Sequence, residues 1–289
     1  PYNLWHSVHR AMPLIYLALC FGAVWLAPLV WWQQPIGWLM GLLLAGGSFA
    51  SLLSIKGLIG KSRREQGIIT SISTPTMGIT EVKCQLERPW KGHRAGQFAF
   101  VTFERSEGAH PFTIASADHG NGQITFHIKG LGDYTRQLGY RLTIGDPVTV
   151  EGPYGQFNFK QRKHNATQIW IAGGIGVTPF LAWLEALQNQ REDSIEAKLH
   201  YSTHDGATDP FVKRLQAACT GLSGIQLQIH DSSQGHKLTT EQLLTHHSKT
   251  EAMEVWFCGP SSWANTLEKE LRENLQGSLS FRQEAFELR

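Results

Sequence analysis

The sequence has few cysteines, no cysteine pair and little net charge, and these absences exclude several classes of protein. Its 289 residues contain four cysteines, which lie far apart at Cys20, Cys84, Cys219 and Cys258. Without a CxxC pair, we expect no cysteine zinc site, no plant-type iron–sulfur cluster and no disulfide framework. The net charge of +2 and the lack of a long basic run give no sign of nucleic-acid binding, so no nucleic-acid partner is expected.

Charged residues are also missing from a long N-terminal stretch, since no Asp, Glu, Lys or Arg lies between Arg10 and Lys56. A membrane-crossing helix needs about 20 apolar residues, and residues 11–30 and 36–55 each supply such a run. We therefore expect residues 1–64 to form a transmembrane helical hairpin in contact with membrane lipid. Basic residues flank the hairpin on one side, which the positive-inside rule places in the cytoplasm. A buried helical hairpin of a soluble core is the alternative.

The pattern of the sequence changes twice after the hairpin. Residues 65–160 are short strand-like runs separated by turn residues, which is typical of an antiparallel β-barrel. Residues 161–166 are a polar linker, and residues 167–289 alternate strand-like and helix-like runs, which predicts a parallel sheet covered by helices. The predicted fold class is therefore a multidomain α+β protein with a helical hairpin, a β-barrel domain and an α/β domain.

A glycine-rich turn, IAGGIGVTPF, joins the first strand and helix of the α/β domain. Thr178 and Pro179 are residue types favoured at a helix start. Gly173, Gly174 and Gly176 let the backbone approach a phosphate, and a helix N-terminus attracts an anion. An ordinary tight turn is the alternative, because the stretch is not the GxGxxG fingerprint. A second turn, FCGPSSW, follows a later strand, and the carboxyl edge of such a sheet is where ligands bind.

Six motifs occur in the order and at the spacing of the ferredoxin–NADP reductase superfamily: HPFTIAS, GDYT, GPYGQF, AGGIGVTPF, FCGP and EAFELR. The chain most closely resembles the branch that contains membrane ferric reductases and NADPH oxidases, because His-Pro-Phe-Thr stands at His110–Thr113 where soluble members usually have Arg-x-Tyr-Ser. The resemblance implies an NAD(P)H-dependent oxidoreductase that holds FAD in its barrel domain. It also implies a one-electron acceptor, which would be haem, iron, oxygen or a redox protein.

By this resemblance, the strand His110–Thr113 lies along the flavin ring, and the Thr113 hydroxyl bonds to that ring. The turn GLGDYT presents backbone N–H groups, together with Thr135, to the FAD pyrophosphate. The expected FAD contacts are His110, Pro111, Phe112, Thr113, Ile128, Lys129, Gly130, Gly132, Tyr134 and Thr135.

The resemblance also implies a nicotinamide nucleotide site in the α/β domain. Its expected contacts are Gly173, Gly174, Gly176, Thr178, Pro179, Ser202, His204, Cys258, Gly259 and Pro260. Phe286 matches a C-terminal aromatic that covers the flavin in the family, but here three residues follow it. Thr113, Cys258 and Phe286 are the expected catalytic residues, with a buried packing cysteine as the alternative for Cys258. Relatives often carry arginine at the position of His204, and histidine is largely neutral at pH 7, so the expected preference for NADPH over NADH is slight.

The membrane part departs from the family pattern. His9 stands at the position of the inner haem ligand, so haem b is an expected cofactor with His9 on its iron, but Gly22 stands where the outer ligand would be. An interfacial histidine without a metal is the alternative for His9.

Two functions remain open from the sequence, because the intact glycine-rich turns argue against a third, a non-enzymatic scaffold that has lost its cofactors. The first, which we expect, is a reductase of the inner (cytoplasmic) membrane with its flavin and nucleotide domains in the cytoplasm, passing electrons from NAD(P)H through FAD to haem, ferric iron or oxygen. The second is a cytoplasm-facing flavoreductase that serves a separate protein partner without transmembrane haem transfer. Gly22 favours the second function, because an electron cannot cross a bilayer on one inner haem.

Overall fold

The computed structural model describes residues 2–76, 78–87, 90–189, 195–245 and 251–285. The chain separates into two compact units, Pro1–Arg64 and Glu65–Arg289. The first unit is helical and consists of α1 (Tyr2–Leu26), α2 (Leu29–Trp32) and α3 (Pro35–Ile55). Gly47 of α3 lies against the ring of Tyr16 on α1, where a Cβ atom would overlap the phenol. The two long helices therefore pack closely at this point.

The predicted pair of membrane spans is found in part. Among the described residues, α3 is the helix whose length and apolar composition would allow it to cross a membrane, whereas the apolar part of α1 is the shorter segment Ala11–Leu26. Pro28, in an extended conformation, separates α1 from α2. Proline disfavours a helical conformation in the residue before it, so the first predicted run, 11–30, is interrupted before its end.

The second unit begins with six strands: β1 (Arg64–Thr76), β2 (Ile79–Leu86), β3 (Phe98–Thr102), β4 (His110–Thr113), β5 (Gln123–Lys129) and β6 (Pro147–Tyr154). Their order in the sheet is β4-β3-β6-β1-β2-β5. The neighbours β1/β2, β2/β5, β3/β4 and β3/β6 are antiparallel. An isolated antiparallel bridge between Ile114 and Phe126 joins the two edge strands. The antiparallel sheet therefore curls towards the predicted barrel.

The helix α4 (Asp133–Arg141) follows β5 and was not predicted. The sequence predicts only a turn for the GLGDYT stretch. Tyr134 and Leu138 of this helix are buried in the barrel core, and they are four residues apart, which places them on one helix face. Because these are the two apolar core residues in a helix of nine, its hydrophobic periodicity is weak and the helix is hard to detect in the sequence.

The rest of the second unit is a parallel sheet of β7 (Thr167–Gly173), β8 (Ala197–Thr203), β9 (Ile225–Asp231), β10 (Met253–Gly259) and β11 (Leu279–Ala285). The helices in this part are α5 (Thr178–Asn189), α6 (Pro210–Cys219), α7 (Thr240–Thr245) and α8 (Ser261–Asn274). The sheet order is β11-β10-β7-β8-β9, which confirms the predicted alternation of strands and helices. The order reverses between β7 and β10, and a ligand crevice is expected at such a reversal.

Aromatic side chains form the core under β7. Trp183 of α5 stacks on Phe157, which follows β6, with ring centroids 4.9 Å apart, and Trp256 of β10 meets both rings edge-on. The Trp183 indole N–H donates to the carbonyl oxygen of Ala95 at 3.0 Å. Because Phe157 and Ala95 belong to the barrel part, this cluster joins the barrel to the parallel sheet.

Candidate functional site

A cavity of about 970 Å³ lies where the barrel meets the carboxyl edge of the parallel sheet. Of the predicted contacts, its lining includes Pro111, Phe112, Thr113, Ile128, Lys129, Gly173, Gly174, Gly176, Thr178, Ser202, His204, Gly259 and Pro260. The structure therefore brings most of the predicted flavin and nucleotide contacts into one space. The predicted residues outside the lining are His110, Gly130, Gly132, Tyr134, Thr135, Pro179 and Cys258. Phe286 lies outside the described residues.

Strand β4 supplies the cavity wall that is predicted to face the flavin. It is an edge strand whose Pro111 pairs with Phe100 of β3, and an edge is the place in a sheet where a proline is tolerated. Thr113 is 5% exposed, and its Oγ1 atom is buried without a hydrogen-bond partner among the described residues. A buried hydroxyl left without a partner costs about 1–3 kcal/mol. The cavity therefore contains a polar group that a flavin ring could satisfy.

His110 is a packing residue in this structure. Its ring stacks on Tyr134 with centroids 5.0 Å apart, and on Phe112 at 6.2 Å. Tyr134 is buried, and its phenol oxygen has no hydrogen-bond partner among the described residues. Burial is the main cause that raises the pKa of Tyr134. His110 thus supports the strand that carries Thr113.

The predicted pyrophosphate contacts around GLGDYT are partly used within the protein. The Thr135 hydroxyl accepts hydrogen bonds from the N–H groups of Leu131 at 3.1 Å and Gly132 at 3.0 Å. Thr135 therefore caps α4, so its hydroxyl and these two amides already have partners within the protein, and their contact with FAD stays a prediction. The first-turn N–H groups of α4 are the donors that remain at this helix start, because such groups lack acceptors within the helix.

The glycine-rich turn differs from its prediction in one detail. A 3₁₀ turn, Gly174–Val177, directly precedes α5, and Thr178 already has helical angles (φ −55°, ψ −45°). Thr178 is therefore not a helix cap, and the helical N–H groups begin at Gly174. Gly174 has φ +53°, and a Cβ atom there would meet nothing within 4 Å. The open space beside this backbone is suited to a phosphate or ribose.

Cys258 packs behind the turn. Its thiol is fully buried, and burial raises its pKa well above the ordinary value, with a smaller contribution from Glu284. A Cβ atom on Gly176 would overlap the Cys258 carbonyl, so the turn and β10 touch through their backbones. A thiol that stays protonated is a poor nucleophile, which favours the packing alternative, while Gly259 and Pro260 remain at the cavity surface.

Several lining residues were not anticipated from the sequence. Glu284 of β11 pairs in register with Cys258 and lines the cavity, and its Oε2 atom is buried without a hydrogen-bond partner among the described residues. Others are His127, His230, His236, Lys237 and Trp263. Glu284 is two residues before Phe286, and His230 is near the end of β9. Their position at strand ends on the carboxyl edge is the signal that could have identified them.

The haem expectation concerns the other compact unit. His9 lies on α1 with an exposed side chain. Among the described residues, no three His, Cys, Asp or Glu side chains are grouped to hold a metal ion. The role of His9 as a haem ligand stays a prediction.

The chain is similar in sequence to a known domain family and to several known proteins. Residues 72–158 match the FAD-binding domain family. The reductase component of propane 2-monooxygenase from Mycolicibacterium goodii is 23% identical over 206 residues, which are 66% of this chain and 59% of that protein. Respiratory burst oxidase homolog protein E from Arabidopsis thaliana is 32% identical over 128 residues, 35% of this chain and 13% of that protein. The chain thus spans little more than half of the first relative.

The fold is shared with solved structures. Flavohemoglobin from Malassezia yamatoensis, with bound FAD and haem, superposes with a TM-score of 0.66 at 19% identity, covering 84% of this chain and 66% of that one. The relatives are mostly reductase components of oxygenase systems, and they also include a respiratory burst oxidase and a ferric reduction oxidase. Residues 72–158 therefore contain an FAD-binding domain, and the chain shares the fold of FAD-containing reductases.

Proposed function

We propose that the chain transfers electrons from NAD(P)H, through FAD, to a separate redox protein. The observation that carries the proposal is one cavity with the flavin-side strand β4 on one wall and the glycine-rich turn on another. Two reactants held in one cavity react far faster than two that meet by diffusion. The relatives support a protein acceptor, because they include a reductase component of a monooxygenase and an electron transfer component of a dioxygenase.

FAD, when bound, accepts a hydride as an electron pair and returns electrons singly. The barrel residues would hold and orient it. Thr113 would donate or accept one hydrogen bond, and Phe112 would offer an apolar surface beside it. The first-turn N–H groups of α4 would meet the pyrophosphate.

The parallel sheet would hold the nicotinamide nucleotide. Gly174 leaves room for the pyrophosphate beside the 3₁₀ turn, and Ser202 contributes a hydroxyl that is buried without a partner in the described chain. Gly259 and Pro260 would border the nicotinamide. Because no covalent intermediate on the protein is needed for hydride transfer, the protonated Cys258 thiol fits this chemistry.

Membrane attachment through the first unit is the second part of the proposal. Large apolar side chains are exposed there, for example Trp25 at 77% and Leu42 at 71%, and exposed apolar surface of this extent calls for a lipid or protein cover. The flavin and nucleotide domains would then face the cytoplasm. Haem transfer through His9 is not part of the proposal, since a protein acceptor accords better with the reductase relatives.

The test is the absorbance spectrum of the purified chain, followed by anaerobic addition of NADPH or NADH. We expect a flavin band that bleaches with either nucleotide and recovers when a one-electron acceptor is added. Thr113→Val removes the hydroxyl and should weaken FAD retention about tenfold, which corresponds to about 1.4 kcal/mol. Thr113→Ser keeps the hydroxyl and is the matched control. No bleaching with either nucleotide would refute the proposal, and a Soret band would favour the haem alternative.

A further inference from the structure

The strongly exposed large apolar side chains of the second unit are confined to its barrel part. Among the described residues of this unit they are Ile68, Leu131, Tyr140 and Ile144, with Tyr140 91% and Ile144 64% exposed. The described residues of the parallel sheet and of α5 to α8 contribute none to this set. A single exposed apolar side chain is ordinary on a protein surface, whereas several on adjoining segments mark an interaction surface.

Hydrogen bonds hold the first and last of these side chains on paired segments. The N–H of Gly145 donates to the carbonyl oxygen of Ile69 at 2.8 Å, and the N–H of Ile69 donates to the carbonyl oxygen of Asp146 at 2.9 Å. Strand β1 is therefore bonded to the loop that follows α4. Ile68 and Ile144 each directly precede a residue of this bonded pair, and both side chains are exposed.

Helix α4 lies against the same strand. A Cβ atom on Gly139 would come within 2.9 Å of the Thr74 methyl carbon on β1, so the C-terminal half of α4, which includes Tyr140, is close to β1. Arg136, one helical turn before Tyr140, is also exposed, and its guanidinium donates to the carbonyl oxygen of Leu131 at 3.2 Å. Three apolar side chains from β1, α4 and the following loop thus lie on adjoining segments, and Leu131 extends this surface to the cavity, which it also lines.

The ionic groups beside this surface are largely paired within the protein. Arg141 lies 2.6 Å from the carboxylate of Glu104 and 3.5 Å from that of Glu107. The carboxylate of Asp146 accepts from the N–H of Thr143 at 2.7 Å. A strongly charged partner would gain little from such a surface. Exposed isoleucine and tyrosine side chains are instead suited to the boundary between lipid headgroups and acyl chains, where tyrosine is enriched.

Chain connectivity favours lipid as the partner over another protein. The first unit, with its exposed apolar helices, ends at Arg64, and β1 begins at the same residue. A strand rises about 3.3 Å per residue, so Ile68 follows Arg64 by about 13 Å. A membrane-attached first unit would therefore hold this surface near the headgroups at a high effective concentration, and even a weak apolar contact would be populated.

We propose that Ile68, Tyr140 and Ile144 form a lipid-contact surface, the α4 patch, through which the barrel rests on the headgroup layer of the membrane. The inference rests on the membrane attachment in the proposed function and adds to it a second contact, on the unit that contains the cavity. Because Leu131 joins the α4 patch to the cavity lining, the contact would bring one side of the cavity close to the membrane. This arrangement suits an electron acceptor that is itself bound to the membrane.

Fluorescence quenching by spin-labelled lipid tests the inference on the whole chain. The Tyr140→Cys chain is labelled with a nitrobenzoxadiazole maleimide and reconstituted into phosphatidylcholine vesicles, with or without phosphatidylcholine that carries a nitroxide on its headgroup. We expect the nitroxide to remove about half of the emission or more, because an inserted side chain lies at headgroup depth. The unsubstituted chain, labelled in the same way, gives the background from native thiols such as the partly exposed Cys219.

The matched control is Lys269→Cys, because Lys269 is also a helical position and its side chain is 76% exposed. Its label should lose little emission. Quenching at Tyr140→Cys should persist in about 0.5 M salt, since an apolar contact is not screened. Equal quenching of the two labels, or none at Tyr140→Cys, would overturn the inference. A blue shift without nitroxide quenching that grows with protein density would also overturn it, because it would identify a second copy of the chain as the partner.

A second reporter tests whether the dye itself drives insertion. With the label at Ile68→Cys, the added pair Tyr140→Asp/Ile144→Asp should reduce the quenching at least about threefold, because two inserted side chains are lost. The pair Gln137→Asp/Thr143→Asp is the control, since it adds the same charges at exposed polar positions of the same segment. It should leave most of the quenching. An equal loss with both pairs would contradict an apolar contact.

Membrane retention and flavin reduction separate failure of the inference from failure of the proposed function. The Tyr140→Asp/Ile144→Asp chain should stay in the vesicles through an alkaline wash, because its apolar helices are unchanged, and its flavin should bleach as in the wild type. If the wild-type chain is retained and its flavin bleaches while the Tyr140→Cys label is not quenched, the α4 patch is wrong and the proposed function stands. If the wild-type chain does not associate with vesicles, the proposed attachment fails and the α4 patch fails with it.

Discussion

Burial raises the pKa of Glu284, near the end of β11, to about 7. Its Oε2 atom has no hydrogen-bond partner among the described residues, and the side chain lines the cavity. Near neutral pH the carboxyl group of the ligand-free protein therefore holds a proton for part of the time. A carboxylic acid in a pocket can donate a hydrogen bond, which a carboxylate cannot. Glu284 is thus a candidate for orienting a ligand from the sheet side.

Glu284 also makes stability depend on pH. Its ordinary pKa is 4.5 and its folded value is about 7, so between these values the unfolded state binds fewer protons than the folded state. The stabilisation is complete below about pH 4.5 and is lost as pH rises towards 7, by about 2–3 kcal/mol. Glu284→Gln removes the titration. The drop in melting temperature of the flavin-free protein between mildly acidic and neutral pH should therefore shrink in this variant. An unchanged drop would contradict the assignment.

A substitution of Gly174 tests the prediction that a nucleotide binds beside the glycine-rich turn. Gly174→Val fills the open space beside the 3₁₀ turn, so we expect NAD(P)H affinity to fall at least about tenfold while FAD is retained. The measurements are flavin content and the nucleotide concentration that gives half-maximal bleaching. Gly221→Val is the control, because Gly221 also has a positive φ (+88°) and open space around its Cβ position but does not line the cavity. Loss of FAD with normal nucleotide affinity would refute the placement.

At the scale of elements, helix α6 is tied to the barrel by one arginine. Arg214 lies 2.7 Å from the carboxylate of Glu81 on β2, and its other terminal nitrogen donates to Nε2 of His127 on β5 at 2.9 Å. Burial, and then the Arg214 charge, lower the pKa of His127 to about 4, so His127 stays neutral and accepts. Phe211 of α6 meets the His127 ring edge-on at 5.4 Å. The helix thus contacts two barrel strands next to the cavity.

Removing the contacts of Arg214 with Glu81 and His127 should have two measurable effects. Arg214→Met leaves the largely buried Glu81 without its closest cation, so we expect the free energy of unfolding to fall by about 1–3 kcal/mol. The pKa of His127 should rise, because a neighbouring positive charge is lost, and proton NMR titration of the imidazole would report it. Lys213→Met, the exposed neighbour, is the control. A destabilised variant with an unchanged His127 titration would argue against the charge coupling.

Helix α5 is also joined to the barrel by hydrogen bonds. The Glu185 carboxylate accepts from the N–H of Ala117 at 2.8 Å and lies 2.7 Å from Nε2 of His119. The nearby Trp183 indole bonds to Ala95. Two helices of the parallel sheet, α5 and α6, are therefore each bonded to the barrel, which favours a fixed spacing of the cavity walls.

For the whole molecule, the division into an apolar helical unit and a polar two-sheet unit predicts membrane association. We expect the chain to sediment with membranes and to resist an alkaline wash. Leu43→Arg places a charge on the exposed apolar surface of α3, which costs about 2.5–3.5 kcal/mol at the centre of a spanning helix. It should shift the chain towards the soluble fraction. Ile144→Arg, an exposed position in the barrel unit, is the matched control, and equal extraction of both variants would contradict the anchor.

The most reliable predictions came from local patterns. The glycine-rich turn and the Thr-Pro pair locate the start of α5 because glycine and proline restrict or permit backbone angles wherever they stand. The alternation of apolar runs in residues 167–289 predicts the parallel sheet for a similar reason, since side-chain periodicity depends on the element alone. Helix α4 was missed because Tyr134 and Leu138 carry its whole apolar face.

The sequence by itself determined the local elements: the antiparallel strands of one part, the alternating strands and helices of the next, the strand from His110 to Thr113 and the glycine-rich turn before α5. Only the tertiary structure decided which atoms meet. It buries Cys258, gives the Thr135 hydroxyl to the amides of Leu131 and Gly132, and brings Glu284, His230 and Lys237 to the same cavity as Thr113. The reason is physical: backbone propensities act over a few residues, whereas burial, hydrogen-bond partners and pKa depend on neighbours that are distant in the chain.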